Sequence, residues 1–371
     1  MSKKIISGGH ICLDITPVFP EDTQYEKLSQ VLIPGKLINN IGAADVHTGG
    51  SVANTGLALK ILGADVKLLC KVGDDEFGKL VQQIVAGYGA DGVMVDPNSD
   101  TSYSVVLAVP GLDRIFLHCP GANNTFCGED IPDEALDGVA LFHLGYPTLM
   151  KRLYENEGEE LVSLLRRLKE RGIATSIDMT TMEPNSPAGQ ADWEKILSKA
   201  LPYTDFFLPS AEELCFMINR ERYDALRGEE GDMAANLDME KDIKPMADKL
   251  IAMGCATVLI KCGTAGMYYR TADETTMAKV GKNLELDAAA WANATGLQRC
   301  FKAAKVLSGT GAGDTSIAAF LKAATDGKTP AECAMLAAAE GACAVTTYDA
   351  LSGLKTLEEL EARIAAGWET M

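Results

Sequence analysis

The feature that most narrows the fold is a rhythm. Short apolar runs with strand character recur along the chain, at KKIISGG (3–9), DVKLLCKV (65–72), VALFHLG (139–145), IATSIDM (173–179), TDFFLPS (204–210) and TVLIKCG (257–263). Segments of helical period lie among them, over 53–62, 76–88, 159–172 and 241–254, with two more at 313–327 and 330–345. A helix between two strands carries the chain back, so consecutive strands run the same way. Runs with little polar alternation need cover on both faces. The expectation is a mainly parallel sheet between helical layers, formed as one unit over residues 1–371.

Two segments break the rhythm. Residues 15–48 are long and contain alternation such as KLINNIGAADVH, and residues 101–119 read as two strands around a PGLD turn. Together they predict a small second sheet, formed by about 15–48 and 101–120, that caps one edge as a lid. The polar, acidic stretch 222–240 reads as a surface insertion without function.

Charge excludes some partners. Lys and Arg number 34 against 52 Asp and Glu, a net charge of −18. Nucleic acid and anionic membranes both reward clustered basic residues, so neither is expected as a partner. The opening MSKKIISGGHICLDI has no long apolar core with a cleavage site, and the ten cysteines include no CxxC pair. A cytoplasmic protein with reduced thiols is expected. The four histidines, at 10, 47, 118 and 143, have no metal-ligand spacing.

The chemistry concentrates in SGTGAGDTSIAAFL (308–321). A strand-like FKAAKVLS precedes it and an apolar helix follows, which puts the glycines at a helix N-terminus. Unpaired N–H groups and a partial positive charge of about +0.5 collect there. Small residues let those groups converge on an anion such as phosphate. Asp314 falls in the first turn, aimed at whatever the loop holds, and its natural task is to take a proton from a hydroxyl attacking that phosphate. No GxxxxGK[ST] and no GxGxxG occurs, which disfavours a Walker-type nucleotide site and a dinucleotide enzyme.

With HTGGSVANTGLALKILGADVKLLCKVGDDEFG (47–78) added, the chain resembles the ribokinase (PfkB) family of carbohydrate and nucleoside kinases over nearly its whole length. Gly309 and Ser308 depart from the family's usual residues in the loop. The resemblance implies a ribokinase-like α/β fold, a three-layer α/β/α sandwich with a β lid, and transfer of the γ-phosphoryl group of ATP to a hydroxymethyl group of a sugar. It implies Asp314 as base, with the amides of Gly311, Ala312 and Gly313 stabilising the moving charge. Gly49, Gly50, Asn54 and Asn123 would line the acceptor site, together with Asp14, read at the end of the first strand. Asp75 matches the family's Gly-Asp-Asp stretch and is equally suited to cap the helix that begins there. Glu213 would order Mg²⁺ through water, with Ser210 standing where the family has asparagine. Gly263 and Gly266 would border the nucleotide; Lys261 either contacts phosphate or is solvated beside a strand end. Ser308 and Thr310 are the candidates for a K⁺ site.

Gly145 stands where ribokinase carries a ribose-contacting glutamate, so a ketohexose or a 2-keto-3-deoxygluconate-like acceptor is favoured over ribose. A nucleoside kinase is the alternative within the fold, and a non-catalytic sugar-binding regulator the alternative outside it. A homodimer through the lid is implied as well.

Overall fold

The computed structural model describes residues 3–20, 24–112, 114–227 and 233–371. Along the chain its strands are β1 (Lys4–Gly9), β2 (Cys12–Thr16), β3 (Asp45–Gly49), β4 (Asp65–Gly73), β5 (Val93–Asp96), β6 (Tyr103–Leu107) and β7 (Ile115–Cys119). They continue with β8 (Val139–Gly145), β9 (Ala174–Asp178), β10 (Phe206–Phe207), β11 (Thr257–Lys261), β12 (Met267–Thr271) and β13 (Thr295–Gln298). The main sheet has the order β13-β12-β11-β10-β9-β8-β1-β4-β5. It is parallel from β5 to β11, and β12 and β13 add an antiparallel edge.

The central strands are buried on both faces, as their composition requires. Every residue of β8 is buried. At about 1.5–3 kcal/mol for each large apolar side chain, Leu141, Phe142 and Leu144 alone anchor this strand strongly. His143, in the same strand, is a satisfied core histidine, hydrogen-bonded to Ser51 Oγ (3.3 Å) and Ser176 Oγ (2.9 Å). One apolar layer packs the helices Glu159–Glu170, Trp193–Ala200, Ala211–Ile218 and Lys244–Ala252 against the sheet. The opposite layer holds Ala312–Thr325, Pro330–Ala344 and Leu357–Ala365. The first two of these are rich in alanine and approach closely: a Cβ on Gly341 would meet Ser316 Oγ at 2.5 Å.

The second sheet has the order β3-β2-β6-β7. β2 pairs antiparallel with β3 and parallel with β6, and β6 pairs antiparallel with β7. Between β2 and β3 the described chain holds only the short turn Leu28–Gln30, fixed by a small cluster of Phe19, Val31 and Val109. Residues 21–23 and Asp113 of the PGLD turn lie outside the described residues.

Three expectations need correction. FKAAKVLS is not a strand: Phe301 makes one isolated bridge to Thr370, and the rest is irregular, with Val306 74 % exposed. The sheet edge is already occupied by β13, and the chain leaves it at Gln298. Asp14 does not end the first strand. The chain turns at Gly9 and His10, where His10 N–H donates to Gly145 O (2.7 Å), and Asp14 then lies within β2 of the small sheet. The 222–240 stretch is not a surface insertion in its described parts. Tyr223, Leu226, Ala234 and Leu237 join the main core, and Arg222 pairs with Asp242. Residues 228–232 within it lie outside the described residues.

Candidate active site

In a parallel sheet covered by helices, ligands meet the chain beyond the carboxyl ends of the strands. Four consecutive ends converge here: Gly145–Tyr146 after β8, Asp178 closing β9, Ser210 just past β10, and Lys261 closing β11. The Ala312 helix points its N-terminus at them. Together they line a cavity of about 280 Å³ that includes Tyr146, Asp178, Glu213, Lys261, Gly313 and Asp314.

The loop before this helix depends on Gly311, which caps it at φ 70°. A side chain there would be strained by the backbone angle and would run into Ala350. Gly311 and Gly313 line the cavity. Ala312 differs from the expectation: its N–H closes a turn on Gly309 O (3.3 Å), and the residue faces the neighbouring cavity.

Asp314 is 6 % exposed and firmly held. Asn54 Nδ2 donates to its Oδ2 (2.9 Å), Tyr146 OH to its Oδ1 (2.6 Å), and Thr55 Oγ1 to its main-chain carbonyl (3.3 Å). Helix Ser51–Ile61, which starts behind Gly50, therefore reaches the carboxylate directly. Burial, and then the charge of Asp314, push the Tyr146 phenol well above its ordinary range. Tyr146 donates and does not ionise.

Lys261 is not solvated. Its ammonium meets Asp178 Oδ1 at 2.7 Å, with side chains only 13 % and 2 % exposed. Glu213 is buried on the same cavity, held by a reciprocal cap: Ser210 N–H donates to Glu213 Oε2 (2.7 Å) and Glu213 N–H to Ser210 Oγ (3.2 Å). Burial pushes the Asp178 and Glu213 carboxyls up, with Lys261 pulling both back. Burial works against the charge of Lys261, but Asp178 and Glu213 more than offset it and hold the ammonium above its ordinary range. One cation thus stands among more carboxylates than it can neutralise. Such a cluster is poised for a bound ion or a migrating proton.

Two further cavities adjoin. One of about 800 Å³ shares Lys261, Gly263 and Gly313 with the first, includes Gly266, and is walled by apolar side chains such as Met267, Phe301, Ala338 and Val345. The other, about 260 Å³, lies on the side of the second sheet and includes Asp14, His47, Thr48, Asn54 and Thr310. There Gly49 is required by close approach, because any Cβ would collide with the Asp14 carboxylate. Ser308 and Thr310 are tied to each other, Oγ to Oγ1 at 2.9 Å.

Asn123 and Asp75 both make structural hydrogen bonds. Asn123 is fully buried, and its amide both accepts from Ile11 N–H (3.2 Å) and donates to Ile11 O (2.9 Å), so it fixes the entry to the second sheet. Asp75 caps its helix through Gly78 N–H (2.8 Å) and also accepts from Thr101 N–H (2.7 Å). Sequence reading missed Tyr146 and Asp178. The usable signal was position: each follows or closes an apolar strand of the parallel set.

A mainly parallel sheet with a helix-borne carboxylate and a glycine loop at its carboxyl edge defines a group-transfer enzyme of the ribokinase-like fold. Residues 11–357 match the pfkB family carbohydrate kinase, and the chain belongs to that family, whose members are phosphotransferases acting on alcohol groups. An uncharacterized sugar kinase of Archaeoglobus fulgidus is 24% identical over 306 residues, covering 80% of this chain and 98% of that one. A 2-dehydro-3-deoxygluconokinase of Thermoproteus tenax is 34% identical over 108 residues, 28% of this chain and 33% of its own. The structure of an ATP-bound fructokinase from Xylella fastidiosa shares the fold, with TM-score 0.70 at 20% identity over 99% of both chains.

Proposed function

We propose that this sugar kinase transfers the γ-phosphoryl group of ATP to a hydroxymethyl group of a monosaccharide, a ketohexose or a 2-keto-3-deoxygluconate-like acid. The observation that carries the reading is Asp314, held by Asn54 and Tyr146 at the mouth of a helix and facing a cavity that contains a buried ammonium. The named relatives, a fructokinase and a 2-dehydro-3-deoxygluconokinase, support this range of acceptors. So does Gly145, where a glutamate would be driven into Ser51.

The roles follow from position. The apolar cavity suits a nucleobase, and the polar cavity sharing Lys261, Gly263 and Gly313 with it suits the phosphates. Lys261 and the amides of Gly311 and Gly313 would face the charge that develops during transfer. Asp314 would take the proton of the attacking hydroxyl. Asp14, Gly49, Gly50 and Asn54 would hold the acceptor's other hydroxyls.

The donor set also fits Mg²⁺. Asp178 and Glu213 offer hard oxygen ligands on the cavity wall. Among the described residues no group of three or more His, Cys, Asp or Glu could hold a metal ion unaided. The remaining ligands of the proposed ion would be phosphate oxygens and water. When bound, the ion would neutralise phosphate charge. Potassium near Ser308 and Thr310, a cytoplasmic setting and a homodimer through the lid complete the proposal. Exposure of Val46, Phe116 and Leu117 on the small sheet supports the dimer.

The test is ATP consumption over a panel of sugars, sugar acids and nucleosides, with and without K⁺. Turnover on a ketohexose or a keto-deoxy sugar acid is expected. Turnover on nucleosides alone would replace this reading with that of a nucleoside kinase.

A further inference from the structure

One buried polar group has no role in the site described above. His10 lies in the link between β1 and β2, and its backbone is engaged: N–H to Gly145 O, and C=O from Val52 N–H (3.1 Å). Its ring is not. The residue is 2 % exposed, yet neither nitrogen has a hydrogen-bond partner among the described residues. A neutral imidazole carries one donor and one acceptor, and leaving both buried without partners is costly. Burial, and then the charge of His118, lower its pKa to about 3, so the ring is neutral at any working pH.

Its surroundings are those of the acceptor site. A Cβ on Gly50 would sit 2.5 Å from Nδ1. The ring stands 5.8 Å from that of Tyr146 and 5.4 Å from that of His118 on β7 of the lid. Tyr146 in turn places a hydroxyl on Asp314 Oδ1 at 2.6 Å. That is an alcohol donating to the base, the same bond an attacking acceptor hydroxyl has to make.

We infer that Tyr146 keeps the acceptor's place on Asp314 until a polyhydroxylated acceptor displaces its hydroxyl, and that the uncovered His10 ring then hydrogen-bonds a second hydroxyl of that acceptor. Resting on the kinase reading, the inference makes His10 a specificity-determining residue and Tyr146 a displaceable stand-in for substrate. It also gives the unsatisfied ring a reason: its partner arrives with the ligand. Before the acceptor binds, the Tyr146 hydroxyl would restrain transfer to water by occupying the base.

The experiment combines steady-state kinetics, acceptor-free ATP hydrolysis and thermal melting on wild type, His10→Asn, His10→Gln and Tyr146→Phe. D-fructose and 2-keto-3-deoxygluconate serve as probes. For both His10 variants the acceptor KM is expected to rise about tenfold to a hundredfold, with the KM for ATP and the melting temperature unchanged. Tyr146→Phe is expected to raise acceptor-free hydrolysis about threefold to tenfold. An unchanged acceptor KM in both His10 variants overturns the inference. So does a KM rise that tracks a fall in melting temperature in both, or unchanged or slower acceptor-free hydrolysis in Tyr146→Phe. If the wild type phosphorylates neither probe nor any member of the wider panel, the kinase reading fails and this inference with it.

Discussion

Two lysine–aspartate pairs of similar burial sit at opposite ends of the main sheet, and they have different tasks. Lys169–Asp205 lies at the amino ends of β9 and β10, where Asp205 Oδ2 accepts from Thr175 N–H (3.0 Å) and Gly281 N–H (3.2 Å). Lys169 also donates to Lys279 O (2.6 Å). The Asp205 carboxylate is ringed by protein donors, as a structural clamp should be. Lys261–Asp178 lies at the carboxyl ends of β9 and β11, and its surroundings are further carboxylates instead of backbone amides. A buried pair with its hydrogen bonds complete holds the fold. We read a buried pair with charge in excess as a ligand site.

Substitutions can break this contrast. The largest effect is expected at the clamp: Asp205→Ala should lower unfolding free energy by about 3–5 kcal/mol, read by denaturant melts. Turnover per folded molecule should be preserved. Next comes Lys261→Met, for which turnover should fall about 10²–10³-fold, the scale of losing one preorganised charge donor. Its stability loss should be pH-dependent. The Asp178 carboxyl, already pushed up by burial, would lose the cation that pulls it back. A group raised in the folded state stabilises at low pH and loses that contribution as pH rises. Melts of Lys261→Met should therefore approach wild type at low pH and fall away from it as pH rises. If the two variants exchange behaviours, the contrast is wrong.

A smaller effect tests the same electrostatics away from the site. Glu340 is fully buried in the helix Pro330–Ala344, with Lys355 N–H (3.1 Å) as its hydrogen-bond donor. Burial raises its pKa from 4.5 to about 8. Between those values the folded protein holds a proton that the unfolded chain has released, so stability falls as pH climbs. Glu340→Gln should abolish that decline and stabilise the protein at pH 8 by up to a few kcal/mol, with no gain at pH 4.

How much of this was legible beforehand follows from the physics of each signal. Local rules read well: the alternation of strands and helices depends on near neighbours, and so do the tight backbone positions of Gly311 and Gly49. Ser210 and Glu213 were read for phosphate and metal, yet they also form a helix cap whose spacing was visible. Tyr146 and Asp178 were missed because their meaning lies in sheet order. Each closes or follows an unremarkable apolar run, and only the packing of β8, β9 and β11 brings them to Asp314 and Lys261. The opposite error occurred at FKAAKVLS. Local alternation promised a strand where β13 had already closed the edge. Asn123 shows a third difficulty, since a buried amide satisfying a backbone and an amide gripping a ligand look alike in one sequence.

The most direct test of the central claim is Asp314→Asn, with nucleotide affinity and turnover measured on the same preparation. The swap keeps the shape of the side chain and removes its capacity as a base. The account predicts turnover lower by about 10²–10⁴-fold with ATP affinity nearly unchanged. Near-normal turnover in this variant would contradict it.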